Sequence, residues 1–480
     1  MEERRTMAKN AIFNIIYKIL NVIFPLISAT YVARVILPSG VGSVSYAQNI
    51  VSYFTMLAAL GIPTYGVRKI SQCRDSQIET NKAFSELMII NGIATTICLI
   101  TYGFLIIRMF EHNLNIYIIC GLLIVFNYIN VDWFYQGKEE YVYIAVRSSI
   151  IKGVSILLLL LLVRAPKDYI IYALITTIAT GGNYVFNIVH IRKYVSFTLK
   201  ELNLKQHMKP ILYMVVCVIA AEFYSKIDIT MLGGEYDSDI VGYYSNAQKL
   251  INLVTSLPTA ITTIFLPRLS YYYNNDRKKY TQFLNLGFKI LCLLSVPSCV
   301  GLVIVADSLV PVLFGTAFMP AVSTARTLAP LILIKSFGDL LCYQVIISSG
   351  NEKRLLKSYF GAAVANVVLN ALLIPQMAQN GAALASVTSE LLLNATLFLG
   401  ISSKIIKLKV NKRFVCSIAV GTMAMVLSVF LIGRLITNVY VCLIVQVIVG
   451  ILAYLSINLV MKNEMICTLG NKVIRHKNEN

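Results

Sequence analysis

The sequence predicts an all-α integral membrane protein with about 14 transmembrane helices: two parallel six-helix pseudo-repeats around a central cavity, plus two C-terminal helices. Three observations predict this fold class. Hydrophobic residues fill 57% of the 480 positions and charged residues only 14%, whereas a soluble domain has about 25% charged residues. Basic residues gather in alternate connections between the apolar stretches, and one segment of the chain is repeated. This composition excludes a soluble enzyme and a disordered chain.

Apolar segments long enough to cross a bilayer define the expected helices. A spanning helix needs about 20 mostly apolar residues. The charged start MEERRTMAKN leads into a long apolar run without a small-residue cleavage site, so we expect a retained first span and no cleaved signal peptide. The expected spans cover residues 10–33, 41–62, 83–107, 116–135, 141–163, 170–190, 210–232, 240–266, 283–305, 321–347, 357–375, 381–403, 414–434 and 440–461.

The connections predict which side of the membrane each span end faces. Cytoplasmic loops of membrane proteins carry an excess of Lys and Arg. With the N-terminus inside, the basic clusters at 68–82, 192–209, 277–279 and 404–413 are all cytoplasmic, and the acidic loop at 233–239 faces out. The C-terminus is then cytoplasmic as well. Because this orientation explains the net charge of +19, the charge does not indicate a nucleic-acid partner.

A repeat divides the chain. The segment VGSVSYAQ begins at Val41 and VGYYSNAQ at Val241, and their V-G and S-x-A-Q positions coincide. Six expected spans separate the copies, so the halves have the same orientation, as in parallel-repeat transporters; chance similarity between two apolar helices is the alternative. The predicted domains are an N-terminal six-helix lobe at 1–190, a cytoplasmic amphipathic linker at 191–209, a C-terminal six-helix lobe at 210–403, and two further helices with a cytoplasmic tail at 404–480.

The linker segment RKYVSFTLKELNLKQHMKP, at 192–210, combines lysines with apolar residues at helical spacing. Such a pattern is typical of an amphipathic helix on the membrane surface. We therefore expect an interfacial helix there. A solvated linker without that helix is the alternative.

Cations inside the spans predict a wet, positively charged cavity. A Lys or Arg at the bilayer centre costs about 2.5–3.5 kcal/mol unless the interior supplies water or a counter-ion. Lys226 has Glu222 one turn earlier and Lys335 has Asp339 one turn later, so ion pairs are the alternative for these two. Arg147 lies near a span end and could reach the surface. The candidate cationic residues are Lys18, Lys152, Lys249, Lys226, Lys335 and Arg147, with Asn14, Asn21, Gln48 and Asn252 as the polar lining.

Carboxylates inside the spans are candidates for carrying a coupling ion. A buried acid with a raised pKa could bind a proton or sodium. A salt bridge to one of the lysines is the alternative. The candidate ion-coupling residues are Glu222, Asp228 and Glu390.

The sequence contains no pattern for covalent or metal chemistry. Its ten cysteines form no C-x-x-C pair, and its four histidines lie at loops or span ends. It also lacks G-x-x-x-x-G-K-[ST], which would bind ATP phosphates. We expect no catalytic residue, no metal site and no cofactor, and hence a protein that is not an enzyme.

Two blocks of sequence carry a resemblance to a known family. They are NVDWFYQGKEEYVYIAVRSSIIKG at 130–153 and YSKIDITMLGGEYDSDIVGYYSNAQK at 224–249, and the D-W-F-x-Q-G-x-E part is the most specific. With PLISATYVARVILPSGVGSVSYAQ near the start, the chain resembles the bacterial polysaccharide repeat-unit flippases of the Wzx type. These belong to the multidrug/oligosaccharidyl-lipid/polysaccharide exporter superfamily.

The resemblance implies a function and a substrate. It implies alternating access in the bacterial inner membrane, moving undecaprenyl-pyrophosphate-linked oligosaccharides to the outer leaflet for capsule, O-antigen or exopolysaccharide synthesis. Membrane lipids, a polysaccharide polymerase and its chain-length machinery are the implied partners. In the more distant lipid II flippases, basic residues of spans 1, 2 and 8 hold the pyrophosphate and the last two helices hold the lipid tail. Lys18 and Lys249 occupy comparable spans, whereas span 2 offers Gln48 and Asn49 in place of a cation.

Two other functions are compatible with the sequence. A cation-coupled drug or metabolite antiporter on the same scaffold would have a cavity dominated by acids. A membrane-embedded polymerase or ligase for the same lipid-linked sugars would present a large extracytoplasmic loop, and the expected outer loops are short.

Overall fold

The structure, a computed structural model, describes residues 2–73, 75–109, 113–349, 353–399 and 411–466. All regular secondary structure in these ranges is helical, which confirms the all-α fold class. Side chains are described from Phe24 onward, apart from gaps at 109, 217, 220–221, 257, 260–264, 267 and 353–354.

Fifteen α-helices are present in the described residues. They are α1 (Glu2–Ala59), α2 (Ile62–Cys73), α3 (Gln77–Met109), α4 (Leu114–Phe126), α5 (Asp132–Gly137), α6 (Tyr141–Leu162), α7 (Tyr169–His190), α8 (Lys205–Glu235), α9 (Ser238–Asn275), α10 (Arg277–Phe314), α11 (Ala321–Leu328), α12 (Pro330–Asp339), α13 (Lys353–Leu399), α14 (Lys412–Leu435) and α15 (Val439–Val460). A π-helix, Leu340–Ile347, continues α12.

Two compact units make up the chain, Met1–Gly242 and Tyr243–Asn480. The first unit takes in the linker and all of α8. The division into lobes at 190 and 210 stays a prediction from the repeat.

Nine helical stretches of the described residues are long and apolar enough to cross a membrane, so this is a multi-pass membrane protein. Two of these stretches, Phe24–Cys73 and Leu355–Leu399, each overlap two expected spans. Leu37, just before Pro38, lies between the first two spans, and its φ of 62° is outside the helical range. Ala378, with a φ of 47°, interrupts α13 in the same way. The count of about 14 spans stays a prediction.

Two of the expected spans are not continuous helices. The span at 116–135 is divided into α4, a single 3-10 turn at Asn127–Ile129, and α5. The span at 321–347 is divided into α11, α12 and the π-helix. Hydropathy averages over a whole window, and for this reason it did not reveal these breaks.

A short amphipathic helix, α2, follows the second expected span and was not predicted. It turns its apolar face, with Ile62, Tyr65 and Ile70, onto the core of the first unit and leaves Arg68 exposed. That core is centred on Trp133, Phe134 and Tyr135. The D-W-F-x-Q-G block therefore supplies the largest buried side chains of the first unit.

The prediction of an interfacial helix over 192–210 is wrong for most of that segment. Ile191–Lys193 forms one 3-10 turn, and the next helix begins only at Lys205. Side chains of α3 bind the backbone between them: Asn81 Oδ1 accepts from the Ser196 amide over 3.1 Å, and Ser85 Oγ accepts from the Thr198 amide over 2.9 Å. These bonds replace those that a helix would supply. The cytoplasmic location of the segment stays a prediction.

Candidate functional site

A polar cavity of about 440 Å³ lies inside the first unit, and we call it the N-unit cavity. Its walls come from the second half of α1 and the turn after it, the end of α4, and the middle parts of α7 and α8. Hydroxyl, amide and apolar groups share the wall with one cation and one carboxylate. The described lining residues are Ser52, Thr55, Met56, Ala59, Gly61, Pro63, Thr64, Leu123, Asn127, Asn130, Thr180, Tyr184, Val218, Glu222 and Lys226.

The α1 wall of the N-unit cavity is a stripe of hydroxyl groups one helical turn apart. Ser52 Oγ donates to the Asn49 carbonyl over 2.6 Å, and Thr55 Oγ1 donates to the Ser52 carbonyl over 3.0 Å. On α7, Thr180 Oγ1 likewise donates to the Thr176 carbonyl over 3.0 Å. Since each proton is used within its own helix, the oxygen lone pairs are the atoms available to accept hydrogen bonds from a ligand.

The break after α4 brings asparagine amides to the cavity. Asn127 is only 4% exposed, and its Nδ2 donates to Asn91 Oδ1 and Thr95 Oγ1, each over 2.9 Å. Asn130 Nδ2 lies 3.4 Å from Asn127 Oδ1. Irregular backbone at membrane depth is tolerated where it lines a cavity. The break is therefore consistent with a cavity that water or a polar ligand fills.

The charged part of the cavity wall is an ion pair on α8. Lys226 Nζ lies 2.6 Å from Glu222 Oε2, one helical turn away. The side chains remain 30% and 42% exposed, respectively. The ion pair that the spacing of Glu222 and Lys226 suggested is present in the structure.

Neighbouring polar residues tie the walls of the cavity together. Gln48 Nε2 donates to Thr176 Oγ1 over 2.9 Å and joins α1 to α7. Asn49 Nδ2 donates to Thr230 Oγ1 over 2.7 Å and joins α1 to α8. Asp228, also on α8, is only 3% exposed and does not belong to the described lining. Gln48 thus positions the cavity wall and is not part of it.

Arg147 belongs to a separate network. Its Nη2 lies 3.1 Å from Asp132 Oδ1, its Nε donates to Asn183 Oδ1 over 3.0 Å, and the residue is 7% exposed. Asn187 also donates to the Asp132 carboxylate. The arginine is thus held by α5 and α7 and does not line the N-unit cavity.

The remaining sequence-predicted residues of the first unit lie on α6 and at the start of α1. Lys152 is half-buried, with Nζ 5.9 Å from the centre of the Phe24 ring. The side chains of Lys18, Asn14 and Asn21 lie outside the described part of the structure.

The second unit contains the other four candidates. Lys249 Nζ donates to Asn246 Oδ1 over 3.3 Å, and Asn252 is exposed. Glu390 is buried, and both Glu390 and Lys335 interact electrostatically with Asp339. Lys335 is thus close to an acid, as its spacing suggested.

Several lining residues were not identified as site residues from the sequence. Thr64, Asn127, Asn130 and Tyr184 are the polar ones. The available signal was the pair of asparagines in NYINVD, at 127–132, inside an otherwise apolar stretch. The described residues contain no group of three or more His, Cys, Asp or Glu side chains placed to hold a metal ion.

The profile of the polysaccharide biosynthesis protein family matches residues 7–272. The chain belongs to this family. A protein of Escherichia coli (strain K12) named as an O-antigen transporter is 22% identical over 419 residues, which cover 86% of this chain and 99% of that protein. A Haloferax volcanii protein named as a low-salt glycan biosynthesis flippase is 25% identical over 259 residues, 52% of each chain.

Solved structures share the fold of this family member. The lipid II flippase MurJ in an inward closed conformation aligns with a TM-score of 0.75 and 16% identity, covering 96% of this chain and 100% of that one. An inward-facing multidrug resistance transporter of the MATE family aligns with a TM-score of 0.60 and 13% identity, covering 81% of this chain and 96% of that one. The resemblance to the polysaccharide flippases is thereby confirmed for family and fold, and the matches agree with the prediction that the protein is not an enzyme.

Proposed function

We propose that this family member is a flippase that moves undecaprenyl-pyrophosphate-linked oligosaccharides from the inner to the outer leaflet of the bacterial inner membrane by alternating access. The N-unit cavity is the observation that carries this proposal. It places hydroxyl, amide and paired ionic groups beside α1 and α7, which are apolar enough to span a membrane. Both termini are then cytoplasmic, and a polymerase with its chain-length machinery receives the product outside.

The physical task of such a flippase is to replace the water around the sugar. Each hydroxyl taken from water without a new hydrogen bond costs on the order of 2–7 kcal/mol. The Ser52 and Thr55 oxygens, the Asn130 amide and the Glu222–Lys226 pair offer replacement partners. The lipid chain needs no such replacement, because it remains in hydrocarbon.

Cations outside the N-unit cavity are the proposed holders of the pyrophosphate. Lys249 and Lys152 are half-buried lysines within spans, and Lys18 lies in the first expected span. Lys335 and Arg147 are accompanied by acids, so we do not include them. Glu390 is the proposed carrier of a coupling ion, since it is a buried carboxylate near a second acid, Asp339.

An antiporter for drugs or metabolites receives less support. That function predicts acids without counter-ions in the cavity. The described lining of the N-unit cavity holds one carboxylate, Glu222, and Lys226 neutralises it.

The experiment that tests this function removes hydroxyls without changing side-chain shape. The purified chain is placed in liposomes, and the fraction of a lipid-linked oligosaccharide that crosses to the opposite leaflet is followed. The double variant T55V/T180V is expected to slow crossing by about tenfold or more, because two hydrogen bonds are each worth roughly 0.5–1.5 kcal/mol. The control T101V removes a hydroxyl on α3 that also bonds its own helix but is exposed on the outside of the unit. Equal rates for both variants and the unmodified chain would count against the proposal.

The pyrophosphate assignment has its own variants in the same assay. Lys249→Ala and Lys152→Ala are each expected to slow crossing at least tenfold. Lys412→Ala, an exposed lysine at the start of α14, is the matched control. Full activity of both the Lys249→Ala and the Lys152→Ala variants at normal protein levels would remove these lysines from the proposal.

A further inference from the structure

In the described lining of the N-unit cavity, the positive and negative charges balance in one ion pair. Glu222 and Lys226 are the charged residues of its described lining, and their charged atoms lie 2.6 Å apart. Both side chains keep a substantial exposed fraction, 42% and 30%. A ligand in the cavity can therefore contact either charge, and neither charge is left without its counterpart.

The rest of the described lining is neutral. Hydroxyl and amide groups such as Thr55, Asn130 and Thr180 can exchange hydrogen bonds with sugar hydroxyls. The aromatic ring of Tyr184 and the apolar side chains of Leu123 and Val218 offer surface for the carbon-bound hydrogens of a sugar ring. A carboxylate next to a lysine offers an acceptor and a donor side by side, which suits a pair of neighbouring hydroxyl groups.

A negatively charged sugar fits this lining less well. Its carboxylate would lie beside the carboxylate of Glu222, and Lys226 is already paired with Glu222. Like charges at short range in a site of reduced dielectric constant repel strongly.

We propose that Glu222 is a specificity-determining residue, and that its pair with Lys226 makes the N-unit cavity select uncharged sugars over acidic ones such as uronic acids. This inference rests on the proposed function and adds the chemical class of the sugar. The two charges of the ion pair, and not the hydroxyl groups of the lining, determine the preference for uncharged over acidic sugars.

The test compares two probes that differ by one carboxylate. The full chain in liposomes is given a lipid-linked trisaccharide ending in glucose, or the same molecule ending in glucuronic acid, and the two crossing rates are measured. The unmodified chain is expected to favour the glucose probe. Glu222→Gln leaves Lys226 uncompensated and is expected to raise the acid-to-neutral rate ratio about tenfold. Lys226→Met leaves Glu222 uncompensated and is expected to lower the ratio by a similar factor.

Two controls separate charge from damage to the fold. The double variant E222Q/K226M removes both charges, so its acid-to-neutral ratio is expected to lie between the ratios of the two single variants. Glu464→Gln breaks an ion pair elsewhere, with Lys289 in the second unit, and is expected to leave the ratio unchanged. Opposite shifts in the two single variants would not arise from a general loss of structure.

The outcomes distinguish this inference from the function on which it rests. If the unmodified chain moves both probes equally, or if the ratio stays the same in both single variants, the inference is overturned while the flippase function stands. If the unmodified chain moves neither probe, the proposed function is overturned and the inference with it.

Discussion

Gly42 and Gly242, the glycines at equivalent positions of the repeat, both lie where the backbone of residues 38–42 approaches that of residues 238–242. A Cβ atom on Gly42 would lie 1.6 Å from the carbonyl oxygen of Ser238, and one on Gly242 would lie 2.2 Å from that of Pro38. Next to this contact, the hydroxyls of Ser43 and Ser238 are 3.0 Å apart. The glycine of the V-G dipeptide is therefore required at both positions by this close approach of the two backbone segments.

Replacing Gly42 by alanine is expected to destabilise the protein by at least about 2 kcal/mol, because a backbone atom cannot move aside as a side chain can. Thermal unfolding in detergent, followed by the fluorescence of the single tryptophan, Trp133, measures the effect. The matched control is Gly92→Ala on α3, where nothing lies within 4 Å of the new Cβ and alanine favours the helix by about 0.5–1 kcal/mol. Equal stability of the two variants would contradict this explanation of the repeat.

The spacing of residues predicted some side-chain contacts and missed others. The pair Glu222–Lys226 could be proposed from the sequence because residues four apart share one face of a helix. The pair Asp132–Arg147 could not, since its members lie on different helices and only the packing of α5 against α6 brings them together. Local geometry is readable from one sequence, whereas contacts between helices depend on the assembled unit.

Among the elements, the segment between α7 and α8 shows the largest difference between prediction and structure. It is extended and bound to the first unit. At its end, Glu86 of α3 accepts hydrogen bonds from the Asn203 amide over 2.6 Å and from Gln206 Nε2 over 2.9 Å. The same carboxylate lies 2.7 Å from Nε2 of His207, whose Nδ1 lies 2.8 Å from the Tyr65 hydroxyl. This cluster fixes the start of α8 to α2 and α3.

Glu86→Ala is expected to cost about 3 kcal/mol or more, because it leaves a fully buried histidine without its acidic partner. It is also expected to release the preceding segment, so that trypsin cuts after the exposed Lys200 at least tenfold faster. Glu79→Gln, an exposed position on the same helix, should change stability by less than about 0.5 kcal/mol. An unchanged cleavage rate in Glu86→Ala would show that the cluster does not hold the segment.

The presence of the long helices was predictable, but their interruptions were not. Hydropathy identified the apolar stretches, and each such stretch forms a helix because its backbone polar groups must be hydrogen-bonded within the segment in the membrane. The break at Asn127–Ile129 was missed because its two asparagines are outnumbered by apolar neighbours in any long window. This break contributes to the N-unit cavity, so the part of the helix that sequence reasoning described least well lines the candidate site.

For the whole molecule, composition and loop charge were sufficient to predict a multi-pass membrane protein, and the resemblance supplied the family. The positions of the deep lysines predicted a cationic cavity. That cavity stays a prediction; in the described lining of the N-unit cavity, Lys226 is matched by Glu222. Whether a charged residue inside a span has a counter-ion depends on where the neighbouring side chains lie, and composition does not determine this.

The central claim is that the N-unit cavity holds the saccharide part of a lipid-linked oligosaccharide during its passage. A photoreactive group on the sugar of such a lipid, activated in membranes containing the full chain, tests it most directly. The cross-linked peptides are predicted to include residues 52–64, 127–130 and 180–184, and an excess of unlabelled lipid-linked oligosaccharide is predicted to remove the signal. Cross-links confined to exposed side chains away from the cavity, such as Ile97 and Ile100 of α3, unaffected by that excess, would contradict the claim.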